Sequence, residues 1–190
     1  PPPPLNTLFP YTTLFRSLTL ADRPPLVAFR DGLILPRESV AGIPITTVNV
    51  AKLRITVYRV PDRLVSQIRR DQLAERSIYP YQLGQIRDDQ GAKVWEGDLA
   101  VSGAKNATVT TLFPIAQAVP QRKPGIYVLT ADNPAERPKT PGDDDDENYS
   151  DFYRPLPVQW VIDTDIGLTT IKGADGLHVF ARALGSALPL

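Results

Sequence analysis

The chain has 190 residues, of which 42% are hydrophobic and 22% charged, as in a globular protein with room for one or two domains. Lys plus Arg and Asp plus Glu both number 21, so no excess of positive charge is present to attract nucleic acid or anionic lipid. The sequence contains no cysteine, which excludes disulfides, thiolate metal sites and a cysteine nucleophile within these residues.

Proline is unusually frequent, with 20 residues against 12 glycines. Proline lacks the backbone donor and has a fixed φ, so this composition favours turns and strand edges over long helices. No run of about 18 apolar residues is present to span a bilayer, and no signal-peptide pattern is visible. Because the chain starts without Met and stops at Leu-Pro-Leu, we expect it to be cut at both ends.

The first segment reads as foreign to the fold. Residues 7–17, TLFPYTTLFRS, match the conceptual translation of a widely used sequencing adapter. We therefore interpret residues 1–17 as an artefact, expected to be disordered, and exclude them from fold reasoning. The alternative is a genuine Pro-rich N-terminal extension.

Short apolar and β-branched runs, separated by Gly and Pro, predict strands at residues 26–30 and 44–50. The clearest strand is residues 52–60, KLRITVYRV, where apolar and polar residues alternate with the period of two of a half-buried strand. Its predicted core-facing residues are Leu53, Ile55 and Val57.

One short helix is predicted next. Pro61 ends the strand, Asp62 is suited to cap a helix, and apolar residues then recur at roughly helical spacing as far as Leu73 or Ala74. The following passage, rich in Tyr and Gln, has no clear period.

The pattern then returns to strands. Residues 93–101 and 107–113 are joined by the turn-forming sequence SGAKN, which predicts a hairpin, and residues 125–131 predict another strand. Beyond an acidic, Pro-rich passage, further strands are predicted at 158–163, 168–171 and 177–184.

Many short strands and little helix favour an all-β fold, an immunoglobulin- or fibronectin-like antiparallel β-sandwich with one short helix. Residues 18–50 are predicted to be linking strands from a preceding region, and residues 51–137 the sandwich itself. Residues 138–154 are predicted to be an acidic linker or loop, because residues 143–147 form a run of like charges. Residues 155–190 are predicted to be the incomplete start of a further sandwich domain, since they are too few to bury a core alone.

Three groups of titratable residues could each form a functional site or have only a structural role. His178, the one histidine, lies in an alternating strand without metal partners at ligand spacing, which favours a structural or surface role. Asp163 and Asp165 end a strand and could bind a cation or share a proton, although turn chemistry is the simpler and favoured explanation. The acidic run Asp143 to Asp146 lacks the spacing and glycine of an EF-hand, which favours a solvated linker.

Catalytic and cofactor motifs are missing from the sequence. Ser66, Ser77 and Ser102 lack the Gly-x-Ser-x-Gly context of a nucleophile elbow, and no phosphate-binding glycine motif is present. Core packing is the first interpretation of the strand aromatics, with a ligand-stacking platform as the alternative. These aromatics are Trp95, Tyr127, Trp160 and Phe180. We assign no catalytic, cofactor-binding or metal residue and no cofactor.

Three stretches carry a resemblance to a known family: residues 35–65 (LPRESVAGIPITTVNVAKLRITVYRVPDRLV), 123–131 (KPGIYVLTA) and 159–190 (QWVIDTDIGLTTIKGADGLHVFARALGSALPL). Together they resemble the bacterial alpha-2-macroglobulins. The third stretch departs from the family in Asp-Thr-Asp-Ile-Gly, where Val-Ser-Asp-Leu-Gly is nearer the expected pattern, and the loop at 142–147 is unusually acidic.

The resemblance implies a fragment from the N-terminal half of a broad-range endopeptidase inhibitor. In this family macroglobulin β-sandwich domains surround a bait region, and many members capture proteases through a thioester formed from Cys-x-Glu-Gln. The resemblance also implies a periplasmic protein of the cell envelope, usually lipid-anchored to the inner membrane. Without cysteine the present residues cannot hold the thioester, so the segment is expected to be a non-catalytic scaffold. Its expected partners are other domains of the parent chain and, through the parent, target proteases; no nucleic acid or small-molecule substrate is expected.

Two other functions remain open at this stage. An immunoglobulin-like adhesion or carbohydrate-binding module would gather Trp95, Tyr79, Tyr81 and Tyr127 on one exposed face. An envelope hydrolase would need a convergent polar constellation, which the sequence does not indicate.

Overall fold

The structure is a computed structural model and describes residues 21–30, 34–36, 42–67, 75–88, 92–136 and 154–190. The predicted artefact at residues 1–17 and most of the acidic linker at 138–154 lie outside these residues. The described strands are β1 Leu26–Phe29, β2 Ile34–Pro36, β3 Ile43–Val48, β4 Lys52–Arg59, β5 Ser77–Ile78, β6 Ala92–Ala100, β7 Thr108–Phe113, β8 Gly125–Asp132, β9 Leu156–Thr164, β10 Ile166–Gly173 and β11 Gly176–Ala183.

Two sheets face each other in a sandwich. The smaller sheet is antiparallel and has the order β1-β3-β7. The larger has the order β2-β9-β8-β4-β6, in which β2 runs parallel to β9 and the other pairs are antiparallel, and β5 also pairs with β9. The predicted all-β sandwich is confirmed.

The inner core lies between the two sheets. Leu53, Ile55 and Val57 of β4 are completely buried there, as their alternation predicted, and they pack with Ile45 of β3 and Leu129 of β8. The period of two places these residues on one face of the strand, and burial of that face is the main driving force for pairing the sheets.

A second core covers the opposite face of the larger sheet. Val128, Val158 and Trp160 project from β8 and β9 onto this face and pack with Ile78 and Leu83. Strand β8 is therefore buried on both faces, which explains why its sequence, IYVLTA, is almost continuously apolar.

The structure has more helices than the single one that was predicted. A 3₁₀ helix, Asp62–Gln67, occupies the start of the predicted segment, and residues 68–74 lie outside the described part of the chain. Helices α1, Pro80–Asp88, and α2, Ile115–Ala118, and a 3₁₀ turn at Pro134–Glu136 were not predicted. In α1 the start is set by proline at the first position and by the Gln82 side chain, whose Oε1 accepts the Tyr79 N–H at 2.8 Å.

The predicted hairpin between residues 93–101 and 107–113 is wrong. Strand β6 pairs with β4 in the larger sheet, whereas β7 pairs with β3 in the smaller one, so residues 101–107 cross from one sheet to the other. The turn sequence SGAKN predicts that the chain changes direction. It does not predict which sheet the next strand joins. At the crossing Gly103 lies so close to Val109 that a Cβ there would come within 2.3 Å of a Val109 methyl.

Strands β10 and β11 form a hairpin that is a sheet of its own, with its register running from Ile166↔Ala183 to Gly173↔Gly176. This pairing confirms the two strands predicted at 168–171 and 177–184. None of the described helices is long and apolar enough to cross a membrane.

Strand pairing runs across two of the predicted domain boundaries. Strands β1 and β3, from the segment predicted as linking strands, pair with each other and with β7, and β9 pairs with β8. By hydrogen bonding, β1, β3 and β9 thus belong to the sandwich that was predicted to span residues 51–137. Sequence alternation could not show this, because it contains no information on which strands are neighbours. The assignment of β10 and β11 to a further domain stays a prediction.

Candidate functional surface

A network of polar side chains, here the polar clamp, joins the N-terminal segment to one end of the sandwich. Its centre is Asn49, just after β3, and Asn106, in the crossing segment. Asn49 Nδ2 donates to Asn106 Oδ1 at 2.9 Å, and Asn106 N donates to Asn49 Oδ1 at 2.7 Å. Both residues have positive φ, which asparagine tolerates better than most residues.

The same clamp holds residues 22 and 23. Arg23 N donates to Asn106 Oδ1 at 2.9 Å, Asn49 Nδ2 donates to the Arg23 carbonyl at 2.7 Å, and Lys105 pairs with Asp22 at 2.6 Å. The chain entering the sandwich is thus fixed by side chains instead of by a strand. Sequence reasoning missed this clamp, and the available signal was an asparagine at each turn.

A cleft of about 250 Å³ lies beside the clamp. Its wall is about equally polar and apolar, and Lys105, the one charged residue among those that line it, pairs with Asp22. Valine and alanine methyl groups and the Asn49 amide line the cleft, but they include no pair of groups that could exchange a proton. The lining residues are Thr47, Asn49, Val50, Ala51, Val101, Gly103, Ala104, Lys105, Ala107 and Val109.

The candidate pair Asp163 and Asp165 does not form one site. Asp163 is buried and pairs with Arg122, with 2.9 Å between Oδ2 and Nε and only 0% and 9% of the two side chains exposed. Asp165 Oδ1 instead accepts the Gly185 N–H at 3.1 Å. The structure therefore separates an internal ion pair from a turn acceptor, although the two residues are neighbours in sequence.

Tyr127 lies close to this ion pair, in the inner core. Burial raises the pKa of its phenol, and the nearby Asp163 carboxylate adds to the effect. Its hydroxyl donates to the Lys123 carbonyl at 2.6 Å. The tyrosine is therefore a neutral donor that fastens the segment before β8, and this end of the core is structural.

His178 is half exposed on the hairpin and contacts Asp175, with Nε2 at 3.0 Å from either carboxylate oxygen. This hydrogen bond lowers the pKa of the Asp175 carboxyl. Within the described ranges, no group of three or more His, Cys, Asp or Glu residues is placed to hold a metal. The acidic run at 143–146 lies outside those ranges.

The three candidate serines are exposed and occupy separate elements. Ser66 lies on the first 3₁₀ helix, Ser77 on β5 and Ser102 in the crossing segment. The structure therefore gives them no shared setting as nucleophiles.

The aromatic residues separate into different environments. Tyr127 and Trp160 are buried in opposite cores, and Trp95 packs on Phe113 with ring centroids 5.1 Å apart, as core packing predicted. For Phe180 that prediction is wrong, because 45% of the residue is exposed on the hairpin.

The four rings that an adhesion module would gather do not share one exposed face. Tyr79 and Tyr81 stack on each other with centroids 5.6 Å apart, but Tyr127 is buried and Trp95 packs against the inner core. Two stacked tyrosines offer a smaller contact area than a four-ring platform. This arrangement counts against the carbohydrate-binding interpretation.

A ladder of charges covers the outer side of the edge strand β6. Asp98 pairs with Arg54 at 2.8 Å and with Lys52 at 2.6 Å, and Lys93 pairs with Glu96. The hydrogen bond from Arg54 is the main cause that lowers the pKa of Asp98. Charges on an edge strand oppose pairing with other chains, so these side chains disfavour the addition of another strand to β6.

The hairpin of β10 and β11 presents several large exposed apolar side chains. Because residues paired across an antiparallel ladder share a face, Ile166, Leu168, Leu177 and Val179 lie together on what we call the apolar hairpin face. Between 53% and 68% of each residue is exposed. Such clusters are rare on monomeric surfaces and mark interaction sites.

A family model described as the bacterial alpha-2 macroglobulin MG2 domain matches residues 28–136. The chain belongs to the bacterial alpha-2-macroglobulin family. The matched range runs from β1 to the 3₁₀ turn after β8 and thus covers most of the sandwich. No curated protein sequence matches the chain.

Solved alpha-2-macroglobulins have the same fold. Native Escherichia coli alpha-2-macroglobulin spanning domains MG0-NIE-MG1 is 19% identical with a TM-score of 0.60, over 91% of this chain and 50% of that one. The trypsin-activated E. coli protein is 20% identical with a TM-score of 0.60, over 84% of this chain and 10% of that one. Salmonella alpha-2-macroglobulin reacted with methylamine is 18% identical with a TM-score of 0.55, over 87% of this chain and 8% of that one.

The chain spans only part of the length of these relatives. It spans half of the E. coli chain of domains MG0-NIE-MG1 and a tenth or less of the two longer chains. The macroglobulin fold is therefore common to this chain and these solved structures.

Proposed function

We propose that this chain is a structural scaffold segment of a bacterial alpha-2-macroglobulin-like broad-range protease inhibitor. In this role it is non-catalytic: it contributes rigid sheet packing and contacts to other domains, and the parent protein traps the protease. The observation that carries the proposal is the family match over residues 28–136, on a sandwich with a core on each face of its larger sheet.

The chemistry of the described residues supports this role. The buried Asp163 carboxylate is paired with Arg122, and the cleft beside the polar clamp has no pair of groups that could exchange a proton. A protease trap needs domains that keep their shape while other parts rearrange, and a doubly buried β8 gives that rigidity.

The proposal also places the parent in the cell envelope, in the periplasm and anchored to the inner membrane by a lipid. Support comes from the family resemblance. Fractionation of cells expressing the tagged full-length parent tests it: we expect the protein in the membrane fraction and its digestion by added protease only after the outer membrane is opened. Recovery in the cytoplasm would contradict this part of the proposal.

Trypsin tests the inhibitory role, since the E. coli relative is described as trypsin activated. We expect the full-length parent to suppress trypsin digestion of casein while cleavage of a small peptide substrate continues, because a trap excludes large substrates by size. The 190-residue chain alone should leave both activities unchanged. Inhibition by the isolated chain, or hydrolysis by it without trypsin, would overturn the scaffold role.

A further inference from the structure

The chain passes from the sandwich to the β10–β11 hairpin without an unpaired residue. Strand β9 is paired with β8 as far as Asp163 and with β2 as far as Thr164. The hairpin ladder begins at the next residue, because Leu184 N donates to the Asp165 carbonyl at 2.6 Å. Two consecutive residues therefore belong to two different sheets, and only the bonds around the Thr164–Asp165 peptide lie between the two ladders.

Asp165 holds both ends of the hairpin together. It directly precedes β10, and it accepts two backbone N–H groups from the residues that follow β11. Its carbonyl accepts from Leu184, and its Oδ1 accepts from Gly185 at 3.1 Å. The Leu184 side chain also lies against Gly167, where a Cβ would come within 2.7 Å of a Leu184 methyl. Both strands of the hairpin thus leave this point of the chain as one unit.

The sandwich side of the same passage is fixed as well. The Asp163 side chain is fully buried and pairs with Arg122 at 2.9 Å, and Thr164 Oγ1 accepts the Ile166 N–H at 3.0 Å. Flexibility between two parts of a chain normally comes from exposed linker residues with few contacts. Residues 163–166 include no such residue, so bending there requires the loss of ladder or side-chain hydrogen bonds.

We propose that Thr164 and Asp165 form a rigid joint, which fixes the orientation of the hairpin relative to the sandwich, and that the Asp165 carboxylate is its positioning group. In the parent protein, the part of the chain that continues from the hairpin then moves with the sandwich as one body. That consequence rests on the proposed function, which makes the parent a multidomain inhibitor, whereas the rigidity of the joint is a property of this chain.

Distances between two spin labels test the joint, and the chain has no native cysteine that would take up a label. One nitroxide is attached to the sandwich at Thr110→Cys and one to the hairpin at Thr170→Cys, since both threonines are exposed. Double electron–electron resonance then gives the distribution of their separation. We expect one narrow distribution in the 190-residue chain. Insertion of Gly-Ser-Gly-Ser between residues 164 and 165 gives the reference for a free joint and should widen the distribution by about twofold or more.

Substitutions at Asp165 separate its carboxylate from the rest of the joint. Asp165→Gly removes the carboxylate and frees the backbone, so the distribution should widen toward that of the insertion variant. Asp165→Asn keeps a side-chain oxygen that can accept from Gly185, and the distribution should stay narrow. Asp175→Gly is the matched control, because it removes an exposed aspartate at the turn of the same hairpin and should leave the width unchanged.

A second pair of labels shows whether the hairpin is still formed. Thr170 and Val179 are direct partners in the ladder, so labels at Thr170→Cys and Val179→Cys should keep their strong spin–spin coupling in every variant. A distribution as broad in the unsubstituted joint as in the insertion variant would overturn the proposal, and so would an unchanged width in Asp165→Gly. Loss of the cross-strand coupling in Asp165→Gly would also overturn it, because the residue would then serve the folding of the hairpin itself. These results do not depend on inhibition of trypsin, so failure of the joint and failure of the proposed function are distinguishable.

Discussion

The sandwich and the hairpin are both built mainly of antiparallel strands but differ in exposure. Ile55 of β4 and Ile171 of β10 both lie within such strands, yet Ile55 is completely buried and Ile171 is 55% exposed. The difference is what covers them: β4 faces a second sheet, whereas in the described part of the chain the hairpin strands pair with each other and with residues 187–190. A period of two therefore specifies a strand with two faces, and only a packing partner makes one of those faces a core.

The largest expected effect comes from the buried ion pair of the sandwich. Asp163→Ala removes the carboxylate that faces the Arg122 guanidinium and should lower the free energy of unfolding by about 3–5 kcal/mol, because a buried charge is left poorly compensated. Urea unfolding followed by tryptophan fluorescence measures it.

Asp165→Ala is the matched control on the hairpin side. It loses the acceptor for the Gly185 N–H and should cost about 0.5–1.5 kcal/mol at most. Equal losses for the two variants would contradict the separation of ion pair and turn acceptor.

The second prediction compares the two isoleucines directly. Ile55→Ala should destabilise the sandwich by about 2–5 kcal/mol, since it leaves a cavity in the inner core. Ile171→Ala should change the unfolding free energy by less than about 0.5 kcal/mol, because the side chain is already in contact with water. Urea midpoints of both variants give the answer. A large loss for Ile171→Ala would mean that the hairpin packs on the sandwich in solution.

The smallest effect concerns the tip of the hairpin. His178 lowers the pKa of the Asp175 carboxyl, so His178→Gln should raise that pKa toward the ordinary aspartate value of about 3.9. Since the folded pKa lies below the unfolded one, the stabilisation is complete above the unfolded value and is lost as the pH falls through the folded value. NMR titration of the Asp175 side chain measures the shift, and an unchanged pKa in His178→Gln would show that the contact does not form in solution.

Several structural elements could be predicted from local sequence alone. The alternation in β4 identified its buried face residue by residue, and β8 and the two hairpin strands were placed within a few residues of their bounds. Helix α1 escaped prediction because its sequence, PYQLGQIRD, has no apolar stripe, and it is stabilised by Gln82 at its start and by the burial of Leu83. Its helical state depends on packing more than on propensity.

The candidate surface was only partly predictable. Sequence indicated that no catalytic motif was present, and it separated neither Asp163 from Asp165 nor Phe180 from the core aromatics. Those distinctions depend on whether the end of a strand is buried. Burial there depends on residues that are distant in sequence. The polar clamp is a clear case, since Asn49 and Asn106 meet across 57 positions of sequence.

By itself the sequence determined most of the strands but not the short β2 and β5, and it also determined the family, because alternation, turn residues and sequence motifs are local properties of the chain. Tertiary structure alone decided that β6 and β7 join different sheets, that β1, β3 and β9 share the sandwich, and that the hairpin face is exposed. The physical reason is that strand pairing and burial are contacts between distant residues, and the free energy of such contacts depends on which surfaces meet.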